Sequence, residues 1–455
     1  MTTKFFKHII LATGIATATV SCSSDFVETE FEQSVVAGPL TTSNEVDSFV
    51  RGIYTSMRSS TYYGRDFLVY AEVRSDEMFT NGYAGYFNSV ANYTMTSADA
   101  YARDTYAQIY TAVGKANIVI NTDINGIKGT TADKKKVLYA QGQAHALRAL
   151  FFFDLMRLYG QKYTGGDLGV VTPLEFDPKN SQARGTIAEN EAQIEADFVK
   201  GLELMTANGN GTSKIDLTIP AVKSLMSRFY LYKGDYAKVR ELAADVASAG
   251  YSVVAADSYA DSWKFPQQNN SIFELALGVA GSNGTTSIGY IYNGDGYGNT
   301  VINPDLVAKY DAKDVRKDIF QYIGAYDEYY VTGKYPDLEG TDNVKIVRIE
   351  EVLLNGVEAE LNGGSVEKAT EYYNALITKR GLAAVDTVTM DMLKLERSKE
   401  LLGEGFRMWD MLRWGMEIER PSGALSSQDL IAFPIPRAET DIVGTKVVSN
   451  PGYDN

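Results

Sequence analysis

The chain has 455 residues, 45% of them hydrophobic and 22% charged, enough for two or three ordinary packed domains or one repeat-built body. Its formal charge is −15 and its pI about 4.8, with no Lys/Arg block, which argues against nucleic acid as a partner. Cys22 is the only cysteine, so intrachain disulfides and cysteine-built metal sites are excluded.

The basic start Lys4, Lys7 and His8 precedes an apolar run, IILATGIATATV, from Ile9 to Val20. That run is too short to remain as a spanning helix and fits the h-region of a secretory signal. It ends in ATVSC, which resembles a lipobox: cleavage before Cys22 frees a thiol for lipid. Residues 1–21 are therefore expected to be a lipoprotein signal peptide, and 22–42 an acidic tether and N-terminal segment. Residues 43–455 are expected to form a single body. Removing 1–21 leaves 41 cations against 58 acids, or −17. Anionic headgroups repel such a body, so lipid rather than a basic patch would hold it at a membrane.

Helical patterns dominate the body. Ser43 is expected to cap a helix to about Arg58, with Val46, Phe49, Val50, Ile53 and Met57 on one side. Asp99 opens a second, to about Asn121. Residues 131–159 form a third, apolar nearly all round in its late half and therefore central, stopped by Gly160. A fourth fits 187–206. Residues 219–251 read as helix, tight turn at Lys233-Gly234-Asp235, and helix, with Pro220 at the start. A similar pair fits 347–361 and 366–379, around Asn362-Gly363-Gly364. Short strands fit 271–279 and 430–436. Small and aromatic residues at interlocking positions predict tetratricopeptide-type helix pairs without a strict repeat. The expected fold is mainly α: a superhelix of such pairs with long loop insertions and a few short strands. Those loops, 61–93, 281–300 and 320–340, are rich in Tyr, Gly and Asn.

Several segments together resemble the SusD/RagB family of outer-membrane nutrient-binding lipoproteins from Bacteroidetes. They are SCSSDF at 21–26, QAHALRALFFFDLMRLYG at 143–160, LYKGDYAKV at 231–239, ERSKELLGEGFRMWDMLRWG at 396–415, FPIPRAE at 433–439 and SNPGY at 449–453. They keep their order over nearly the full length. The resemblance implies a non-catalytic, lipid-anchored protein at the cell exterior. Such a protein captures oligosaccharides, or in some members oligopeptides, and serves a SusC-type TonB-dependent outer-membrane transporter. No cofactor or metal is implied.

The chemistry of the residues agrees. His145, the one histidine of the mature chain, lies inside the long apolar helix and reads as a hydrogen-bonded core residue. GTTSIG at 284–289 departs from a nucleophile elbow at Thr285, and NGDGYGN at 293–299 lacks GxGxxG spacing. A calcium loop through Asn293, Asp295 and Asn299 would lack the twelfth-position glutamate. The alternative function is a surface glycoside hydrolase, or another hydrolase, using paired carboxylates; a glycosidase sets them roughly 5–10 Å apart across a sugar. In ERSKELLGEGFRMWDMLRWG, Glu396, Glu400 and Glu404 form an i, i+4 stripe, and Asp410 is expected to be clamped by Arg407 and Arg413. That reads as scaffold. Binding is expected in the loops, where Tyr offers a flat apolar face and a hydroxyl to a sugar. The family's usual contact regions correspond here to Arg74, Asp76, Asn81, Tyr83, Tyr86 and Asn88, and to Tyr290, Tyr292, Tyr297 and Asn299. Of the three tryptophans only Trp263 lies outside the scaffold motif, so no broad tryptophan platform is visible.

Overall fold

The computed structural model describes residues 38–177, 181–209, 211–418, 420, 423 and 425–453. The expected signal peptide, the lipidation site Cys22 and tether residues up to 37 lie outside them. Thr41–Asn455 is one unit and Met1–Leu40 another, and every described helix and strand belongs to the former.

Helix starts reflect local capping chemistry. The first helix, α1 (Ser43–Met57), begins in a capping box. The Glu45 N–H donates to Thr42 Oγ1 at 3.2 Å, and the Thr42 N–H donates to Glu45 Oε2 at 3.0 Å. The cap is thus Thr42 rather than Ser43, because the glutamate that completes the box stands three residues after Thr42. After α2 (Asp66–Val73), Asp99 caps α3 (Ala100–Ile120), accepting from the Tyr101 N–H at 2.8 Å. Capping boxes on Thr130 and Thr186 open α4 (Thr131–Tyr159) and α5 (Ile187–Asn208). Pro220 lies in the first turn of α6 (Ile219–Lys233), and Gly234, at φ +75°, turns the chain into α7 (Tyr236–Ala247). A later pair, α8 (Ile349–Leu361) and α9 (Val366–Ile377), precedes α10 (Met390–Leu401) and α11 (Arg407–Arg413).

These helices pack as α1 on α3, α4 on α5, α6 on α7 and α8 on α9, with α3–α4, α7–α8 and α8–α10 contacts joining the pairs. This is a tetratricopeptide-like scaffold. The α4–α5 crossing is tight because two glycines meet there. A Cβ on Gly201 would stand 2.7 Å from the Gly142 carbonyl oxygen, and one on Gly142 would stand 2.9 Å from the Gly201 oxygen. From Ala146 to Tyr159 every side chain of α4 is buried.

Strands are few. The buried pair β2 (Ser271–Leu275) and β6 (Val344–Arg348) is antiparallel, and β6 runs directly into α8. A second, four-stranded sheet has the order β1–β3–β5–β4 and is built from β1 (Met78–Thr80), β3 (Thr300–Ile302), β4 (Gln321–Ile323) and β5 (Glu328–Tyr330). The strand expected at 430–436 is absent. Its backbone does another job: the Phe433 N–H donates to the Leu158 carbonyl at 2.7 Å, at the open end of α4. Asn450 continues that closure. Its amide donates to the carbonyls of Tyr159 and Phe433, both at 2.8 Å, and its oxygen accepts from Gln161 and Arg184. Pro434 and Pro436 lack the N–H groups a strand ladder needs.

Candidate functional site

The stretch densest in carboxylates is structural. Glu396, Glu400 and Glu404 enter a buried cluster with Asp314 and Glu350, matched by Arg316, Arg348, Arg380, Lys334 and Lys399. Arg380 grips Glu400 through two nitrogens, at 2.8 and 2.9 Å, and Arg348 adds a third bond at 3.0 Å. Burial pushes the Glu400 carboxyl up, but Arg380, Arg348 and Arg316 outweigh it and hold the group well below its usual range. An anion fixed in this way is a poor proton shuttle. Asp410 is clamped as expected, but by Arg397 (2.7 Å) and Arg413 (2.8 Å) rather than by Arg407 and Arg413. Arg397 reaches it from α10 across the Gly403–Gly405 turn, which frees Arg407 to form a bidentate pair with Asp76 at 2.6 and 2.8 Å. His145 Nδ1 lies 2.7 Å from Asp197, which Arg148 also holds.

The loops build the other candidate. The three segments 78–93, 281–303 and 320–331, remote in sequence, supply the strands of the four-stranded sheet and carry ten tyrosines. The sheet pairs Thr80 with Thr300, Ile302 with Tyr329 and Tyr322 with Tyr329. Strands of three residues are weak alone, and side chains splice them. Asn81 Nδ2 donates to the Gly298 carbonyl at 2.7 Å and to Glu328 Oε2 at 3.2 Å. The Asn299 amide exchanges two bonds with the Tyr86 backbone, donating to its carbonyl at 2.6 Å and accepting from its N–H at 3.2 Å. The glycines of NGDGYGN let these loops approach closely: a Cβ on Gly296 would meet the Tyr290 carbonyl at 2.5 Å.

Three aromatic groups result, one of them Tyr322 against Tyr329 at 4.7 Å. Tyr297 lies 5.0 Å from Tyr86 and 4.8 Å from Tyr290, centroid to centroid. Tyr83 lies 5.6 Å from Tyr326, the latter at the tip of the β4–β5 hairpin. Tyr83, Tyr326 and Tyr297 are 66%, 57% and 38% exposed. On the inner side, the Arg65 guanidinium lies 5.7 Å over the Tyr86 ring, paired with Asp66 and donating to the Thr286 carbonyl at 3.2 Å. A cleft of ≈ 790 Å³ lies elsewhere, along Tyr163, Met416, Leu425 and Ile431. A sugar stacked on flat rings needs no enclosed cavity, so exposed aromatic area weighs more here than cleft volume.

The sequence-named residues divide. Tyr83, Tyr86, Tyr290, Tyr297 and Asn81 come together on this sheet, with Asn299 as an enclosed splice beneath it. Arg74 does not belong: it is buried, donating to the carbonyls of Leu430 and Ile431, with its guanidinium over Tyr93 and Phe433. Tyr292 is likewise enclosed against Tyr335, and Asp76 is taken by Arg407. Asn88, half-buried, opens the short helix Asn88–Ala91. The calcium-loop reading of 293–299 loses Asn299 to Tyr86, and the Asn293 oxygen accepts from the Asp295 N–H at 2.9 Å. Trp263 is buried beneath Lys334, Lys345 and Arg348. Tyr322, Tyr326, Glu328 and Tyr329 were visible only as part of a tyrosine-rich stretch. The signal that could have found them is QYI-GAYD-EYY, two short tyrosine-bearing runs around a four-residue turn.

A tetratricopeptide-like scaffold that presents aromatic loops defines a class of binding protein, and comparison with known proteins places the chain within it. Residues 25–231 match the family described as "Starch-binding associating with outer membrane", and residues 322–429 match the SusD family. The chain belongs to the SusD/RagB family. It is 22% identical to SusD-like protein P2 of Formosa agariphila over 489 residues, covering 90% of this chain and 93% of that one. Among solved structures, a SusD superfamily protein from Bacteroides thetaiotaomicron matches with TM-score 0.81 and 27% identity, over 90% of this chain and all of that one. Surface glycan-binding protein A from Bacteroides fluxus shares the fold, with TM-score 0.74 and 21% identity, over 91% of this chain and all of that one. Among the described residues no helix is long and apolar enough to cross a membrane.

Proposed function

We propose that the protein is a non-catalytic surface glycan-binding lipoprotein. It is anchored in the outer membrane through Cys22, faces the exterior, and captures oligosaccharides on the four-stranded tyrosine sheet for a SusC-type TonB-dependent transporter. The observation that carries this reading is the pairing of tyrosines from remote segments around one sheet, Tyr86 with Tyr297 and Tyr83 with Tyr326, with Tyr83, Tyr297 and Tyr326 exposed. Membership of a family described as starch-binding and outer-membrane-associated supports it. So does the name of the Bacteroides fluxus protein of the same fold. The absence of catalysis is supported by the state of the acids: the densest group is locked in ion pairs.

Tyr297→Ala removes the ring shared by Tyr86 and Tyr290. It should weaken glycan binding about three- to tenfold, in line with ~0.5–1.5 kcal/mol per aromatic contact. Calorimetric titration of the purified protein with the glycan it retains checks this. Unchanged affinity would move the site elsewhere, and release of reducing ends by the wild-type protein would reinstate the hydrolase.

A further inference from the structure

The segments that build the tyrosine face, 78–93, 281–303 and 320–331, contain no lysine or arginine. They carry three acids: Asp295, Asp327 and Glu328. Asp295 and Asp327 are exposed. Each has one neighbouring donor, Gln321 to Asp295 at 3.0 Å and the Tyr322 hydroxyl to Asp327 at 2.8 Å, and neither donor is charged. Glu328 is half-buried beside the Tyr83–Tyr326 pair. Its Oε2 accepts from Asn81 and from the Tyr330 hydroxyl, whereas Oε1 meets no donor among the described residues. Of the cations that reach these segments, Arg65 is paired with Asp66 beneath Tyr86, Lys334 is enclosed with Glu404, and Arg58, against Gly281, donates to the Ala276 carbonyl and to Thr55. The segments themselves therefore offer stacking rings and acceptors for hydroxyl protons, and no cation of their own to balance an anion.

We propose that this face selects uncharged oligosaccharides and refuses carboxylated or sulfated ones. Glu328 is the specificity-determining residue, its free oxygen accepting from ring hydroxyls of the sugar stacked on Tyr83 and Tyr326. The inference rests on the proposed glycan function and adds the charge class and the residue that sets it. A sugar hydroxyl can fill the Glu328 acceptor, as a charge-assisted bond. A glycan carboxylate or sulfate brings a like charge to an unbalanced acidic face, a repulsion that discriminates between partners and weakens with salt.

The test uses starch, laminarin, xylan and mannan, each beside a carboxymethylated or sulfated derivative of the same backbone, in affinity electrophoresis with the full-length protein in detergent. At least one neutral polymer should retard the protein. Its charged derivative should bind about tenfold more weakly at low salt, with the gap narrowing in about 0.5 M NaCl. Glu328→Gln, which keeps an acceptor for Asn81 and Tyr330, should narrow the gap at low salt, and so should Asp327→Asn at the exposed hairpin tip. Equal or tighter binding of the charged derivatives that is still lost in Tyr83→Ala/Tyr326→Ala overturns the charge assignment while leaving the glycan site standing. A gap unchanged in Glu328→Gln overturns the role of that residue. If no polymer of either kind is retained, or the double tyrosine variant binds as the wild type does, the glycan reading of this face fails and takes the inference with it.

Discussion

Asp66 links the scaffold to the tyrosine face through one guanidinium. Its carboxyl is almost fully enclosed, and burial outweighs the Arg65 pair, pushing it up to about 6. Asp104 adds to the rise, while a hydrogen bond from Tyr70 opposes it. A raised carboxyl means that the folded chain holds this proton at a pH where the unfolded chain has lost it. The group's contribution to stability is then full below about pH 4 and is lost as pH rises through 6. Asp66→Asn keeps an acceptor for Arg65 and removes the titration. The difference in stability between wild type and variant should shift against the wild type by ~2–3 kcal/mol between about pH 4 and pH 7, read from urea midpoints. Parallel curves would show that Asp66 titrates normally. Arg407 marks the limit of local spacing. Spacing alone paired it with Asp410, since i and i+3 share a helix face, but spacing carries no information about Arg397 on the preceding helix or about Asp76, remote in the chain.

At the scale of elements, the α4–α5 crossing is the strictest contact. Gly201→Ala places a methyl against backbone atoms of α4 that no rotamer change can move, so it should cost ~1–3 kcal/mol by thermal or chemical denaturation. The same change at Gly363, with open space around its Cβ position but φ +96°, tests backbone strain alone and should cost less. The helices were legible because their signals are local. Asp99, Gly160, Pro220 and the Lys233-Gly234-Asp235 turn each fix an end within a few residues. The cap fell on Thr42 rather than Ser43, and residues 347–348 belong to β6 rather than to the helix after it. The segment 61–93, expected as a loop, holds the helix Asp66–Val73, which is buried on every side and shows no amphipathic period. Of the strands, β2 was legible within 271–279, but the three-residue strands were not. Three residues show no alternation, and 430–436, rich in β-forming residues, spends its N–H groups on the open end of α4. The candidate site was half legible: tyrosine enrichment marked the loops proposed to carry it, but which rings face outward depends on pairings between residues 80, 300 and 329.

Across the whole molecule, the ion cluster fastens positions 314 to 404 to one another. Glu400 stands among three guanidiniums, and Glu400→Ala removes the acid they share and leaves the buried cluster with one cation in excess, at an expected cost of ~3–5 kcal/mol in unfolding free energy. Glycan affinity of the folded fraction should stay within about twofold of wild type, because this cluster supports the body and not the rings. A large loss of affinity in a variant that unfolds normally would return the function to that stretch. The tyrosine sheet is organised in the opposite way. Its strands are three residues long, and three of the rings that pair across its segments, Tyr297 on Tyr86 and Tyr83 on Tyr326, also stand in solvent: Tyr83, Tyr297 and Tyr326. If the proposed site holds, menu and masonry are one set of side chains. A lineage changing its diet through these loops could not swap rings one at a time without loosening the wall that holds them, and would advance by replacing whole hairpins.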